Sequence, residues 1–265
     1  MARRYVLLIA FLFGATVVAV AQVGPGTAIT PAGEEALRIP FVNLEIREPA
    51  NNQEVALSLQ LLLLLAVLTL APSIIIIMTS FLRFAIVFDF VKRALSLQQV
   101  PPTQVLMGIA LFMTLFVMWP TLTDIYDNAF VPFSEGEIGI EEAFREFEAP
   151  MRLFMYRQMA ANPDPIRLFM RMGNMPAPAT FADVPTQALI PAFILHELTV
   201  AFKIGILLFI PFIIIDMVVA STLMSMGMIM LPPIMISLPF KLILFVLIDG
   251  WTLLTQQLVA SFGGF

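Results

Sequence analysis

The sequence predicts an all-α membrane protein in which about four hydrophobic helices form helical hairpins, with an extracytoplasmic helical insertion between them. Hydrophobic residues make up 60% of the chain and charged residues 12%, whereas a soluble domain has about 45–50% and about 25%. One run, Val55–Met78, has 24 residues and no charge, which is enough to cross the roughly 30 Å hydrocarbon core. A polar stretch, Thr121–Pro185, holds ten acidic residues and five arginines, so we expect it outside the cytoplasm.

Residues 1–21 are typical of a secretory signal peptide. Arg3 and Arg4 precede the apolar segment Tyr5–Val18, and small residues at and before Ala21 form a cleavage site ahead of Gln22. An uncleaved signal anchor is the alternative. A signal peptide on a chain with several spans predicts that the mature N-terminus lies on the exported side of a bacterial inner membrane.

Residues 22–54 carry four prolines and more acids than bases, which predicts an irregular periplasmic segment. Residues 55–120 then form the first hydrophobic hairpin, which begins with Val55–Met78. Its connection, Ser80–Gln104, is rich in basic residues and is predicted to be a cytoplasmic loop. Its second helix, Val105–Trp119, has only 15 residues, about 22 Å at roughly 1.5 Å per residue, which is short for a span that faces lipid.

Residues 121–186 are predicted to form a periplasmic helical domain. Apolar residues recur at steps of three and four within Glu141–Ala161, which indicates a helix with one buried face. A second short helix is expected to begin at the prolines after Asn162 and to end near Gly173.

Residues 187–265 form the predicted second hydrophobic hairpin, with apolar stretches Gln187–Ile215 and Pro239–Val259. Charged side chains interrupt both stretches, although a charge at mid-membrane costs about 2.5 kcal/mol or more. These helices are therefore expected to face protein or water, as in a subunit of a large helical assembly. The candidate intramembrane polar residues outside the central run are Glu197, Lys203 and Asp249.

Asp216 and Lys241 flank the uncharged run Met217–Phe240. If this run is a hairpin, its two legs bring both charges to a similar depth, and an ion pair would offset part of their desolvation. Alternatively, both residues lie at interfaces and their side chains reach water. The sequence leaves these two arrangements open.

Methionines crowd the middle of the same run. Gly227 loosens the backbone there, and Pro232 with Pro233 interrupts helical hydrogen bonding. Broken backbone at membrane depth is tolerated where it is buried in protein or lines a cavity. The segment is therefore predicted to form a pore constriction, with the prolines ending the preceding helix; simple packing by flexible methionines is the alternative.

Enzyme chemistry finds no support in the sequence. His196 and Glu197 begin HELTV, which lacks the second histidine of a zinc protease motif, and His196 is the only histidine in the chain. The chain has no cysteine and no glycine-rich phosphate-binding motif, and its net charge of -5 gives no reason to expect nucleic acid binding. We expect no enzymatic activity, no metal and no cofactor.

Two long blocks, Ser80–Pro120 and Leu189–Trp251, resemble the FliP family of flagellar type III export-gate proteins. The specific motifs are QQVPPTQVL, which begins at Gln98, and LPFKLILFVLIDGW, which begins at Leu238. Together the blocks cover about two-fifths of the chain. The signal peptide and the large periplasmic insertion favour a flagellar member over a virulence-injectisome member.

The resemblance implies a core pore-forming subunit that assembles with further copies of itself and with FliQ and FliR, among other export-apparatus and basal-body components. Unfolded flagellar proteins would pass through its channel. A gasket of methionines would seal that channel, and the matching positions here are Met228, Ile229 and Met230. Isoleucine replaces the central methionine of the family, which keeps the seal apolar but makes it stiffer.

Two other functions remain open from the sequence. A secondary transporter would use the intramembrane charges to bind a solute or protons, but such proteins usually contain two matching halves, and no internal repeat is visible. A pure assembly scaffold would use the polar insertion to recruit partners without contacting the channel.

Overall fold

The computed structural model describes residues 52–97, 100–178, 180–228 and 231–263, and these contain helices and no strand. A π-helical turn covers Tyr126–Phe130 and a 3-10 turn covers Phe181–Asp183. The α-helices are α1 Asn52–Ile77, α2 Phe81–Ala94, α3 Thr103–Ile125, α4 Val131–Ser134, α5 Ile140–Met159, α6 Asp164–Met172, α7 Thr186–Ser225, α8 Pro233–Leu247 and α9 Gly250–Ala260. The predicted signal peptide and its cleavage site lie outside the described residues.

The chain divides into two units, residues 1–72 and residues 73–265. In the first unit, the described residues belong to α1, which agrees with the predicted first hydrophobic helix. Its leucines Leu61–Leu65 are 49–64% exposed. Because exposed apolar area costs about 25 cal/mol per Å² in water, this surface suits contact with lipid or with another apolar chain.

In the second unit, the core lies between α2, α3 and α7. Phe84, Val87, Phe88 and Val91 on α2 are fully buried or nearly so, and their spacing of three and four residues places them on one helix face. The predicted loop over Ser80–Gln104 is therefore wrong for Phe81–Ala94, which is a core helix, whereas its cytoplasmic side stays a prediction. The charged residues of this segment share the helix with a buried apolar stripe.

Helix α3 corrects a second expectation. It runs for 23 residues rather than 15 and contains Pro120. The polar residues after Pro120 continue the helix to Ile125. Their side chains bond locally: Thr123 Oγ1 donates to the Trp119 carbonyl at 2.7 Å, and Asn128 Nδ2, in the π-helical turn, donates to Asp124 Oδ1 at 2.6 Å. The helix is therefore not too short for a span that faces lipid.

Helices α5 and α6 confirm the predicted helical pair in the polar insertion. Helix α5 buries Met151, Met155 and Met159, and α6 buries Ile166 and Met170. Both helices pack against α7. The insertion is thus attached to α7, the longest hydrophobic helix among the described residues.

The hydrophobic helices confirm the class of an all-α membrane protein. Among the described residues, two continuous helical stretches, Thr103–Ser134 and Thr186–Ser225, are long and apolar enough to cross a membrane. Helices α8 and α9 together make a third candidate, bent by 64° at their junction. The described residues therefore hold two or three such candidates where the sequence predicted about four, and α1 contributes a shorter apolar segment, Ser58–Leu70.

Candidate functional site: a methionine-tipped hairpin and its polar anchors

The turn between α7 and α8 is built around Gly227. Its φ of 74° lies in the left-handed region, which glycine adopts without a steric penalty. The Gly227 amide donates to the Met224 carbonyl and the Met228 amide donates to the Leu223 carbonyl, both at 3.0 Å. These two bonds are those of a Schellman motif, which ends α7 and satisfies its last carbonyls.

The two prolines have a different role from the one predicted. Pro232 precedes α8 and Pro233 is its first residue, where a missing amide proton costs nothing because that position has no helical acceptor. Gly227 ends α7, and the prolines begin the return helix. Ile229 and Met230 lie outside the described residues.

Apolar side chains project from the turn. Met224, Met226 and Met228 are 69%, 71% and 40% exposed, and Leu231 on the other side of the turn is 41% exposed. We call residues 224–231 the hairpin tip. Exposed methionines of this kind form a flexible and polarizable apolar surface.

Below the tip, the structure brings Asp216 and Lys241 together across the hairpin. Lys241 Nζ lies 2.6 Å from Asp216 Oδ2, and the Ser237 hydroxyl donates to Asp216 Oδ1 at 2.6 Å. The Lys241 side chain is 2% exposed and that of Asp216 is 34% exposed. The carboxylate thus has one edge toward the surface, while the ammonium is enclosed.

Lys241 also joins the hairpin to the end of α2. Its ammonium donates to the Ala94 carbonyl at 3.2 Å and to Ser96 Oγ at 2.8 Å. With Asp216, these acceptors occupy all three donors of the ammonium. A cation at a helix C-terminus is also favoured by the helix dipole. We call this group, with Ser237, the Lys241 network.

A second buried ion pair lies at the other end of α2. Arg83 Nε donates to Glu197 Oε2 at 2.7 Å and Arg83 Nη2 donates to Glu197 Oε1 at 2.5 Å. Both side chains are buried, at 1% and 0% exposure. The paired, parallel bonds are the strongest arrangement for these groups. The sequence indicated Glu197 as a candidate polar residue but did not indicate its partner, Arg83.

Arg83 extends this group to the C-terminal segment. Its Nη1 donates to the Ser261 carbonyl and to Ser261 Oγ, both at 2.9 Å. The guanidinium also lies 3.8 Å above the centroid of the Phe262 ring, and the Phe262 carbonyl accepts a bond from Gln158 on α5. This Arg83 network ties α2, α5, α7 and the residues after α9 together.

Comparison with known proteins decides the family. The FliP family model matches residues 64–258. The flagellar biosynthetic protein FliP of Treponema denticola is 67% identical over 228 residues, which cover 86% of this chain and 84% of that protein. The chain belongs to the FliP family. The protein of the same name from Treponema pallidum is 60% identical over 98% of this chain and 97% of its own length, and that of Bacillus subtilis is 47% identical over 84% and 99%.

The FliP family match includes α2, the hairpin tip and both ion pairs. Two of the polar residues predicted from the sequence remain apart from these networks. Lys203 on α7 and Asp249 at the junction of α8 and α9 are exposed, and neither forms an ion pair within the described residues. The structure therefore divides the predicted intramembrane charges into an internally paired set and an exposed pair of opposite sign.

Some residues of the site were missed in this FliP-family chain, although the sequence contained a signal for one of them. Arg83 lies one residue before Phe84 and four before Val87, so the helical stripe that predicts a core also includes the arginine. Nothing in the sequence indicated Ser96 or Ser237, because short hydroxyl side chains are common in turns and helices of every kind.

Proposed function

We propose that this chain is a core pore-forming subunit of the flagellar type III protein export gate in the bacterial inner membrane. Membership of the FliP family supports a role in the flagellar export apparatus. The observation that carries the finer proposal is the hairpin tip, where exposed methionines stand between two apolar helices. We infer that Met228, Ile229 and Met230 line the narrowest part of the channel.

The chemistry of the tip suits a seal that must open for many sequences. Thioether side chains are flexible, so several of them can close around one another and also around a passing chain. An apolar constriction also resists water and ions by dewetting. One chain supplies only a few such side chains, so a closed ring requires several copies.

The two polar networks hold the legs of the hairpin, α7 and α8, against the rest of the second unit. The Lys241 network joins both legs of the hairpin to α2, and the Arg83 network joins the start of α7 to α2 and α5. The tip carries neither network. In the proposed gate, movement during export is therefore confined to residues 224–231, while the legs keep their positions.

Large apolar faces support the proposed partners. Ile206, Leu207, Ile210 and Ile214 on α7 are all exposed, and monomeric soluble proteins rarely leave such continuous apolar surface uncovered. We propose that further copies of this chain, together with FliQ, FliR and other basal-body components, cover part of it. The proposed substrates are unfolded flagellar proteins.

Replacing Met228 with alanine, alone or with Met230→Ala, is expected to raise ion leakage through the assembled gate, because smaller side chains widen the constriction. The measurement is the conductance of membranes that contain this chain with FliQ and FliR. The control is Met172→Ala on α6, a methionine far from the tip in sequence that is 70% exposed, against 40% for Met228. Unchanged conductance in the Met228 variant would exclude the tip as the seal.

A further inference from the structure

Lys203 is a cation on an apolar helix face. It is exposed on α7 and, within the described residues, has no ion pair or hydrogen bond. Its neighbours on that face, Phe202, Ile206 and Leu207, are 51–67% exposed. A charge in such surroundings is costly unless a partner or water compensates it.

Asp249 is an exposed anion among apolar residues on the other leg of the hairpin. It is exposed at the end of α8 with a φ of 51°, and its carboxylate does not cap α9. Val246, Leu247 and Trp251 around it are exposed apolar residues. Among the described residues, no cation pairs with this carboxylate. By contrast, Glu197, Asp216 and Lys241 are all satisfied inside the chain.

The two uncompensated charges stand at similar levels of the hairpin. The Ser237–Asp216 bond and the contact between Phe212 and Phe245, at 6.4 Å between ring centroids, fix how α7 and α8 run past each other. At roughly 1.5 Å per residue, either contact places Lys203 and Asp249 within roughly 8 Å of each other along the hairpin axis. Two copies that lie side by side therefore need only a small shift along the hairpin axis to bring Lys203 of one copy next to Asp249 of the other.

We propose that Lys203 of one copy pairs with Asp249 of a second copy of this chain. The exposed face of α7 then packs on the exposed face of α8 of its neighbour, and the ion pair fixes their register. Such a contact joins different surfaces, so it repeats from copy to copy into a ring or a helix. This inference rests on the proposed multi-subunit gate and names one interface within it.

The absence of cysteine in the sequence makes a direct test clean. Two tagged full-length chains, one with Lys203→Cys and the other with Asp249→Cys, are coexpressed with FliQ and FliR and treated in native membranes with a short bismaleimide. A linker is needed because a disulfide requires Cα atoms within about 7 Å. The expected product is a dimer that carries both tags. Each variant expressed alone is expected to give none.

The matched control replaces Lys203→Cys by Ile210→Cys, an exposed position on the same helix about 10 Å further along it. Its dimer yield with Asp249→Cys is expected to be much lower. Equal yields from both positions, or no dimer from Lys203→Cys, would overturn the proposed register.

Neutralising the charges gives an independent readout. Lys203→Gln and Asp249→Asn are each expected to lower the fraction of chain in the assembled complex by about tenfold, and the double variant is expected to be no worse than either single one. Asparagine tolerates the left-handed backbone at position 249. The pair would be contradicted if the losses of the two single variants multiplied in the double variant. It would also be contradicted if Lys203→Gln lowered assembly while Asp249→Asn did not, a result that would point to anionic lipid as the partner of Lys203. Assembly of the wild-type chain distinguishes failure of the proposed gate from failure of the proposed ion pair. A wild-type chain that does not oligomerise would refute the gate itself.

Discussion

Glu197→Ala is expected to lower the free energy of unfolding by about 3–5 kcal/mol, because it leaves the buried Arg83 guanidinium without its counter-charge. Both side chains are almost completely enclosed, so water does not replace the lost carboxylate. The loss should also loosen the residues after α9, which Arg83 holds through Ser261. Denaturant unfolding of the purified chain in detergent, followed by circular dichroism, measures the change.

Two further variants test the cause of this loss. Glu197→Gln keeps an acceptor of the same size and should cost less than alanine. The double variant Arg83→Met with Glu197→Leu removes both charges and should recover most of the lost stability. The interpretation fails if Glu197→Ala unfolds at the same denaturant concentration as the parent chain, or if the double variant is less stable than Glu197→Ala.

Removing the two members of the other ion pair is expected to have unequal effects. Asp216→Ala leaves the Lys241 ammonium buried with only its neutral partners, Ala94 and Ser96, and should cost about 3–5 kcal/mol. Lys241→Met keeps the apolar stem and leaves Asp216, which water partly reaches, so its cost should be about 1–3 kcal/mol. The same unfolding experiment decides the order.

Ser237→Ala serves as the control for this comparison. It removes one hydrogen bond to Asp216 and leaves the ion pair in place, so we expect a loss of about 1 kcal/mol. If Lys241→Met proved more destabilising than Asp216→Ala, the main role of the lysine would be to cap α2 rather than to pair with the carboxylate.

The fold class was predictable because long uncharged runs and a polar insertion leave few alternatives. The bounds of helices that contain polar residues were harder to predict from the sequence. The charges of α2 predict a solvated loop, although Phe84, Val87, Phe88 and Val91 carry a helical pattern. Pro120 and the polar residues after it indicate a helix end in the sequence, but α3 continues to Ile125, and the Thr123 hydroxyl bonds back to the Trp119 carbonyl within it.

The Lys241 network and the Arg83 network were also only partly predictable from the sequence. Asp216 and Lys241 could be suggested as a pair because they flank one uncharged run, and a hairpin brings such flanks together. Arg83 and Glu197 are 114 residues apart, and no local pattern links residues at that separation. Likewise, the end of α7 depends on the left-handed Gly227, whereas the nearby Pro232 and Pro233 offer a more obvious but misplaced signal for a helix end.

The position of the hairpin tip in the channel can be measured directly. A photoreactive residue at Met228, in a gate that holds a stalled flagellar export substrate, is expected to form an adduct with that substrate on irradiation. The same residue at Leu247, an exposed position at the far end of α8, is expected to form none. Substrate adducts at Leu247, with only lipid adducts at Met228, would contradict the account.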